Sequence, residues 1–211
     1  IFCVADLGKV KHRGFMISGE SMNWHEDAGE AISLKILAFD QASQKTGVAW
    51  FEDSTLLGYE VLDYSRVKDA DLRVRLMMES MFNLIGEHKP DALVFEGVAL
   101  QRSAGAVIML AQIQGGLMGY CYSHNISGMI YKPSVWRKML GFKQGRNIKR
   151  AQLKAQAQKF VKDHYDIEVT EDEADAICIG LAFACEYKET TENMEYNGEK
   201  NSEKQKDLEG E

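Results

Sequence analysis

Four carboxylates in three separate places are the residues of this chain best able to act together chemically. Asp40 ends the apolar run Leu34-Lys35-Ile36-Leu37-Ala38-Phe39, and Glu96 ends another, Asp91-Ala92-Leu93-Val94-Phe95. Asp172 and Asp175 open the helix-like segment Asp172-Glu173-Ala174-Asp175-Ala176-Ile177. A carboxylate at the end of a buried strand is costly unless something neutralises it. Asp172 and Asp175 are three apart and so share a helix face. Two strand-end acids and two helix-borne acids point to a pair of divalent cations as the neutralising agent. Hard cations such as Mg²⁺ take oxygen ligands, and two of them can clamp a phosphodiester for in-line hydrolysis. Without cations the four carboxylates repel one another and the site is strained.

Plainer readings of the same residues stay open. Thr170-Glu171-Asp172-Glu173 is also a capping box, with Thr170 as the cap and Glu173 reaching back. Acids in a first turn suit the helix dipole, so Asp172 is either a cap or a ligand. Asp175 lies between Ala174 and Ala176 in an apolar stretch and is harder to account for by solvation. Glu171 and Glu173 read as solvated. Asp40 can cap a turn, but Ser43 and Thr46 close by favour a site. Ser43 has no His near it in sequence, which argues against a nucleophilic serine. His88, His124 and His164 fall at helix ends and read as dipole partners. Cys3, Cys121, Cys178 and Cys185 form no CxxC pair, so the spacing of a zinc site is absent.

The net charge of −7 conceals a segregation. Residues 1–33 carry 3 basic and 5 acidic side chains, residues 34–188 carry 19 of each, and residues 189–211 carry 3 and 8. Within the neutral middle, the stretch from Lys132 to Lys162 holds ten Lys or Arg and no Asp or Glu. That is a basic face on an acidic protein, a pattern suited to nucleic acid. Arg137, Lys138, Lys143, Arg146, Lys149, Arg150 and Lys154 are the candidate phosphate contacts, which position DNA without reading its sequence. A solvated helix face is the alternative. Trp136 and Phe142 interleave with these residues and read as core or as base-stacking platforms.

The elements that must carry these residues follow from the apolar pattern. Residues 34–40, 47–52, 55–62, 92–96 and 127–131 read as strands, the first apolar throughout as a central strand should be. Residues 71–87 read as a helix with Leu72, Leu76, Ser80 and Asn83-Leu84 at helical spacing and Met77, Met81 and Phe82 filling the face. A long helix over 103–124 contains Gly115, Gly116 and Gly119, which permit close packing. Pro133 opens a short helix, Asn147 is the natural cap of a basic helix over 147–165, and the last helix spans 171–187. The order βββαβαβααα makes a mixed sheet flanked by helices. At 211 residues one domain is expected. No apolar stretch reads as long enough to span a bilayer, and the expected location is the cytoplasm of a bacterial or phage-infected cell. Residues 189–211 read as an acidic disordered tail, and residues 1–33 as an N-terminal extension. The chain begins with Ile1, and a start at Leu34 on a UUG codon is expected, with Gly29-Glu30 encoding a ribosome site upstream.

Phe39-Asp40-Gln41-Ala42-Ser43-Gln44-Lys45-Thr46-Gly47 resembles the first strand and turn of the RuvC-type Holliday junction resolvases. Phe95-Glu96 is similar to that family's second acid, and Asp172-Glu173-Ala174-Asp175-Ala176 to its closing Asp-x-x-Asp-Ala. The three blocks agree in order and spacing over residues 35–187. The resemblance implies an α/β fold of the ribonuclease H type, with a five-stranded mixed sheet and a nuclease domain over 34–188. It implies Asp40, Glu96, Asp172 and Asp175 as catalytic and metal-binding residues, with two Mg²⁺ per site and Mn²⁺ able to substitute. It also implies nicking of four-way and other branched DNA to 5′-phosphate and 3′-hydroxyl ends, a homodimer built on the helix over 103–124, and Arg137 and Arg150 near the family's active-site lysines. Some members carry an aromatic wedge soon after the second acid. Here Gly97-Val98-Ala99-Leu100-Gln101-Arg102 has none, which leaves Leu100 as an apolar wedge and Arg102 as a DNA contact. Two other functions stay in view, a ribonuclease H-like nuclease on RNA/DNA hybrid or single strands and a non-catalytic junction-binding protein.

Overall fold

Continuous apolar runs become strands when both of their faces are covered. The computed structural model of the chain describes residues 33–98 and 103–209. Five strands, β1 (Lys35–Asp40), β2 (Lys45–Glu52), β3 (Thr55–Asp63), β4 (Ala92–Glu96) and β5 (Ser127–Tyr131), form one sheet in the order β3-β2-β1-β4-β5. β1, β2 and β3 are an antiparallel meander, while β1 with β4 and β4 with β5 are parallel. This is the mixed five-stranded sheet that the sequence leads one to expect.

Alternation along the strands divides the core between two helical layers. Ile36, Ala38, Ala92 and Val94 face α3 (Pro133–Met139), α4 (Arg150–Tyr165) and α5 (Glu171–Glu209). Leu37, Phe39, Leu93 and Phe95 face α1 (Ala70–His88) and α2 (Ala104–His124).

Several local expectations are corrected. The buried seam of α1 is Val74, Met77, Met81 and Ile85, and Leu72 is exposed. On α2 only Gly116 makes close packing possible, because a Cβ there would lie 1.9 Å from Met78 Cε; Gly115 and Gly119 face open space. α4 starts at Arg150, with Lys149 as the cap residue, and Asn147 instead stands in the turn where Ile148 N–H donates to Gly145 C=O at 3.1 Å. α5 does not close at Tyr187. Its backbone helix continues to Glu209, through most of the segment read as a disordered tail. By length and composition α2, with 21 residues and a mean hydropathy of 1.3, is long and apolar enough to cross a bilayer, contrary to expectation. Its Leu110, Ile113, Leu117 and Cys121 are buried in the protein. The N-terminal extension up to residue 32 lies outside the described residues.

Candidate active site

The site forms where β1 and β4 end side by side. Their parallel pairing runs to Phe39 and Phe95, so the next residues, Asp40 and Glu96, emerge together at one edge of the sheet. The turn after Asp40 is closed by one hydroxyl: Thr46 Oγ1 donates to Ala42 C=O at 2.8 Å and accepts from Ala42 N–H at 3.0 Å. This returns the chain into β2, where Gly47 pairs with Asp40. A Cβ at Gly47 would lie 1.9 Å from the carbonyl oxygen of Asp172. The absence of a side chain there lets the first turn of α5 sit directly on the strand beside Asp40, which is the physical reason for a glycine after Thr46.

α5 is capped as a capping box predicts. Thr170 Oγ1 accepts from Glu173 N–H at 3.3 Å, and the Glu173 carboxylate accepts from Thr170 N–H at 2.7 Å. Glu173 therefore serves the cap, and Asp172 is turned to other partners. Lys154 Nζ on α4 stands 2.8 Å from Glu171 and 3.4 Å from Asp172. Asp175 is only 4% exposed, and its Oδ1 is buried without a hydrogen-bond partner.

Electrostatics ties the acids together. Burial raises the Asp40 carboxyl well above the usual range, and the charges of Glu96, Asp175 and Asp172 raise it further, against a smaller opposing effect of Lys154. Burial also pushes Asp175 up to about 6; Glu96 and Asp172 add to the rise, while Arg137 and Lys154 oppose it. Lys154 is held above its ordinary value: burial acts against its charge but is outweighed by Glu171, Asp172 and Asp175. The four carboxylates thus feel one another as like charges in a partly dry site. Among the described residues, no group of three His, Cys, Asp or Glu side chains is gathered closely enough to hold a metal ion as it stands. The donor set nevertheless fits a hard cation. All four groups are carboxylates, and the orphaned Asp175 oxygen lacks the partner a buried acceptor requires.

Two site residues, Trp136 and Gln41, are not legible as such in the sequence, whereas Arg137 stands by the acids near the position that the family resemblance implies. Trp136, fully buried on α3, donates its Nε1–H to Glu96 Oε1 at 3.0 Å. It is therefore core and is unavailable as a base-stacking platform. Arg137 lies over the Trp136 ring, 4.5 Å from its centroid, and its Nη2 stands 3.9 Å from Glu96 Oε1. Gln41 contacts the backbone of Glu96 through both ends of its amide. The neighbourhood of Asp40 and Ser43 drew attention to this turn, but nothing in one-dimensional spacing reveals contacts made 40 and 55 residues apart.

The candidate DNA contacts divide. Lys138, Lys143, Arg146, Lys149 and Arg150 are exposed. Arg137 and Lys154 are drawn into the acid site, Lys154 with a side chain 14% exposed. Leu100 and Arg102 lie outside the described residues.

Comparison with known proteins agrees with this geometry. The sequence model of the family "Crossover junction endodeoxyribonuclease RuvC" matches residues 36–183. A protein of that description from Nitratidesulfovibrio vulgaris is 28% identical over 113 residues, 52% of this chain and 68% of its own length. Another, from Trichlorobacter lovleyi, is 26% identical over 162 residues, 74% of this chain and 87% of its own. Among solved structures, T. thermophilus RuvC in complex with a Holliday junction substrate superposes with a TM-score of 0.59 at 16% identity, over 74% of this chain and 96% of that one. The Fowlpox virus resolvase, solved with Holliday junction DNA, gives 0.52 at 16% identity, over 72% and 97%. These two likenesses show the fold, and with the match over residues 36–183 they lead to one conclusion: the chain belongs to the RuvC family of crossover junction endodeoxyribonucleases and is a nuclease.

Proposed function

We propose that this chain is a metal-dependent, structure-selective endonuclease that nicks four-way DNA junctions and other branched DNA, and that it works as a homodimer in the cytoplasm. The observation that carries the reading is the pairing of the strand-end acids Asp40 and Glu96 with Asp172 and Asp175 in the first turns of α5, close enough to repel one another, with a buried Asp175 oxygen left without a partner. These four residues would hold two Mg²⁺, or Mn²⁺ in their place, which when bound neutralise the phosphate and activate a water for attack. The protein's own residues do the rest. Trp136 orients Glu96, Arg137 brings a fixed positive charge to the same spot, and Lys154 orders Asp172. Exposed Lys138, Lys143, Arg146, Lys149 and Arg150 contact the DNA backbone, and Leu100 and Arg102, which follow Glu96 in the sequence, contact the branch point. The nuclease domain spans 34–188.

A homodimer gives two such sites to a two-fold junction. It is supported by the outward face of α2, where Ile108 is 58% and Tyr122 60% exposed on a helix of otherwise apolar composition.

The test is cleavage of an end-labelled four-way junction in Mg²⁺, beside duplex and RNA/DNA hybrid, with wild type and Asp40→Asn. Junction-selective nicking that is lost in Asp40→Asn while junction binding persists is the expected result. Preferential cutting of the hybrid would place the chain among ribonuclease H-like nucleases of RNA. Junction binding with no cutting in Mg²⁺ or Mn²⁺ would leave only an architectural role.

A further inference from the structure

The parallel pairing of β1 with β4 ends at Phe39 and Phe95. One residue later the strands part company. β1 bends into the turn closed by Thr46, while β4 runs on to pair Glu96 with Tyr131 of β5. In a parallel ladder the N–H and C=O of one residue point to the same neighbour. For Glu96 that neighbour is β1, which has already turned away. The side chain of Gln41 takes the place of the missing strand residue. Its Oε1 accepts from Glu96 N–H at 3.0 Å, and its Nε2 donates to Glu96 C=O. A primary amide carries the same donor and acceptor as a peptide unit, and of the two amide side chains glutamine has the longer reach. Gln41 is 6% exposed, so water does not compete for either bond.

We propose that Gln41 is a positioning residue for the nuclease reaction, holding the backbone of Glu96 where the sheet no longer does and thereby aiming its carboxylate at Asp40 and Asp175. The proposal rests on the metal-dependent reading above. The carboxylate end of Glu96 is fixed by Trp136 Nε1–H, and Gln41 fixes the other end. With both ends held, the acid has one orientation before any cation arrives. A site of this kind works only when its groups stand within about 0.5 Å of the productive arrangement. A strand end released from its last rung does not meet that tolerance.

The competing view is that Gln41 merely satisfies two buried backbone groups and matters for stability alone. Gln41→Met keeps length and volume but removes both hydrogen bonds; Gln41→Asn keeps the amide one methylene too short. Mn²⁺ binding to the full chain without DNA, followed by calorimetry, separates the views, with thermal melting and junction binding in Ca²⁺ measured alongside. Positioning predicts that Gln41→Met weakens Mn²⁺ binding by about 10- to 100-fold, as loss of groups supporting metal ligands does. The Mg²⁺ concentration for half-maximal cleavage rises in parallel, and junction binding in Ca²⁺ stays within about twofold of wild type on this account. A lowered melting temperature with Mn²⁺ affinity unchanged would overturn the proposal. Should Gln41→Met fail to fold, Gln41→Asn is judged by the same criteria. Glu96→Gln is the control: if it too leaves Mn²⁺ binding unchanged, the metal reading itself fails.

Discussion

The stretch of α5 from residue 174 to 184 and the helix α2 are both strongly apolar and lie on opposite faces of one sheet, yet they are covered very differently. Every residue of α5 from 174 to 184 is buried, because the helix lies between the sheet and α3 and α4. α2 buries only the stripe Leu110, Ile113, Leu117 and Cys121 and leaves Ile108 and Tyr122 in the open. Apolar surface left in water forgoes roughly 25 cal/mol for each Å². α5 uses its covered position to carry Asp175 into a dry place where a carboxylate is costly. α2 gains nothing internal from its outer face, which is consistent with a second copy covering it. The comparison teaches that hydrophobic composition gives no measure of coverage. The layers around a helix decide whether its apolar surplus stabilises the fold, strains a site or meets a partner.

The sharpest way to probe the covered side is Asp175→Asn. Cleavage of a four-way junction should fall about 10³-fold, roughly 4 kcal/mol of barrier, while the metal-free protein becomes more stable at neutral pH. The sign follows from the raised Asp175 pKa, about 6 against an ordinary 3.8. A raised carboxyl contributes stability that is fully present below the ordinary value and lost as pH rises through the folded one. Thermal melts of metal-free wild type should therefore reveal a contribution on the order of 3 kcal/mol that fades between about pH 4 and pH 7, and the Asn variant should lack it. A variant less stable than wild type at pH 8 would mean that Asp175 supports the fold.

Next in size is a pair of glycine substitutions, one on each side. Gly47→Ala pushes a methyl group into the Asp172 carbonyl and should cost about 3 kcal/mol in denaturant unfolding, with α5 displaced from the site. Gly115→Ala, where nothing lies within 4 Å, should instead stabilise the isolated chain by up to about 1 kcal/mol through helix propensity. Equal effects would erase the contrast between the two helices.

The smallest effect on stability, and the most telling about α2, is expected for Ile108→Glu. Sedimentation should show wild type as a dimer and the variant as a monomer, with the unfolding free energy of the monomer moved by no more than about 0.5 kcal/mol. A variant that stays dimeric would move the interface elsewhere on the molecule.

The strands and the acids were legible because their signals are local. A run such as Ile36-Leu37-Ala38-Phe39 is apolar at every position only when both faces are covered, and its closing Asp40 is then conspicuous. Asp172 and Asp175 were visible for a similar reason, as acids spaced on one face of an apolar helix. On α1, Met77 and Met81 were legible as buried, but Leu72 was taken for Val74 and Ile85, because the seam is chosen by what packs against it. The start of α4 was misplaced because Asn147, a good cap residue, is used in a turn. Trp136 was legible as a core residue, but its contact with Glu96, like that of Gln41, was hidden because it is made from another element. The role of Lys154 was likewise hidden, since membership in a run of basic residues marks it for DNA while the fold points it at Glu171 and Asp172.

On the metal-dependent reading, that last contact would make cation loading an exchange. A divalent ion approaching Asp172 would find an ammonium already there, shared with Glu171 and mostly withdrawn from water. Its apparent affinity would be set by a difference, the hold of the incoming ion on the carboxylates less the hold of the resident one. With Asp172 given up to the ion, Lys154 would keep its contact with Glu171, 2.8 Å away, and the part of its charge that Asp172 had balanced would be left for a backbone phosphate to meet.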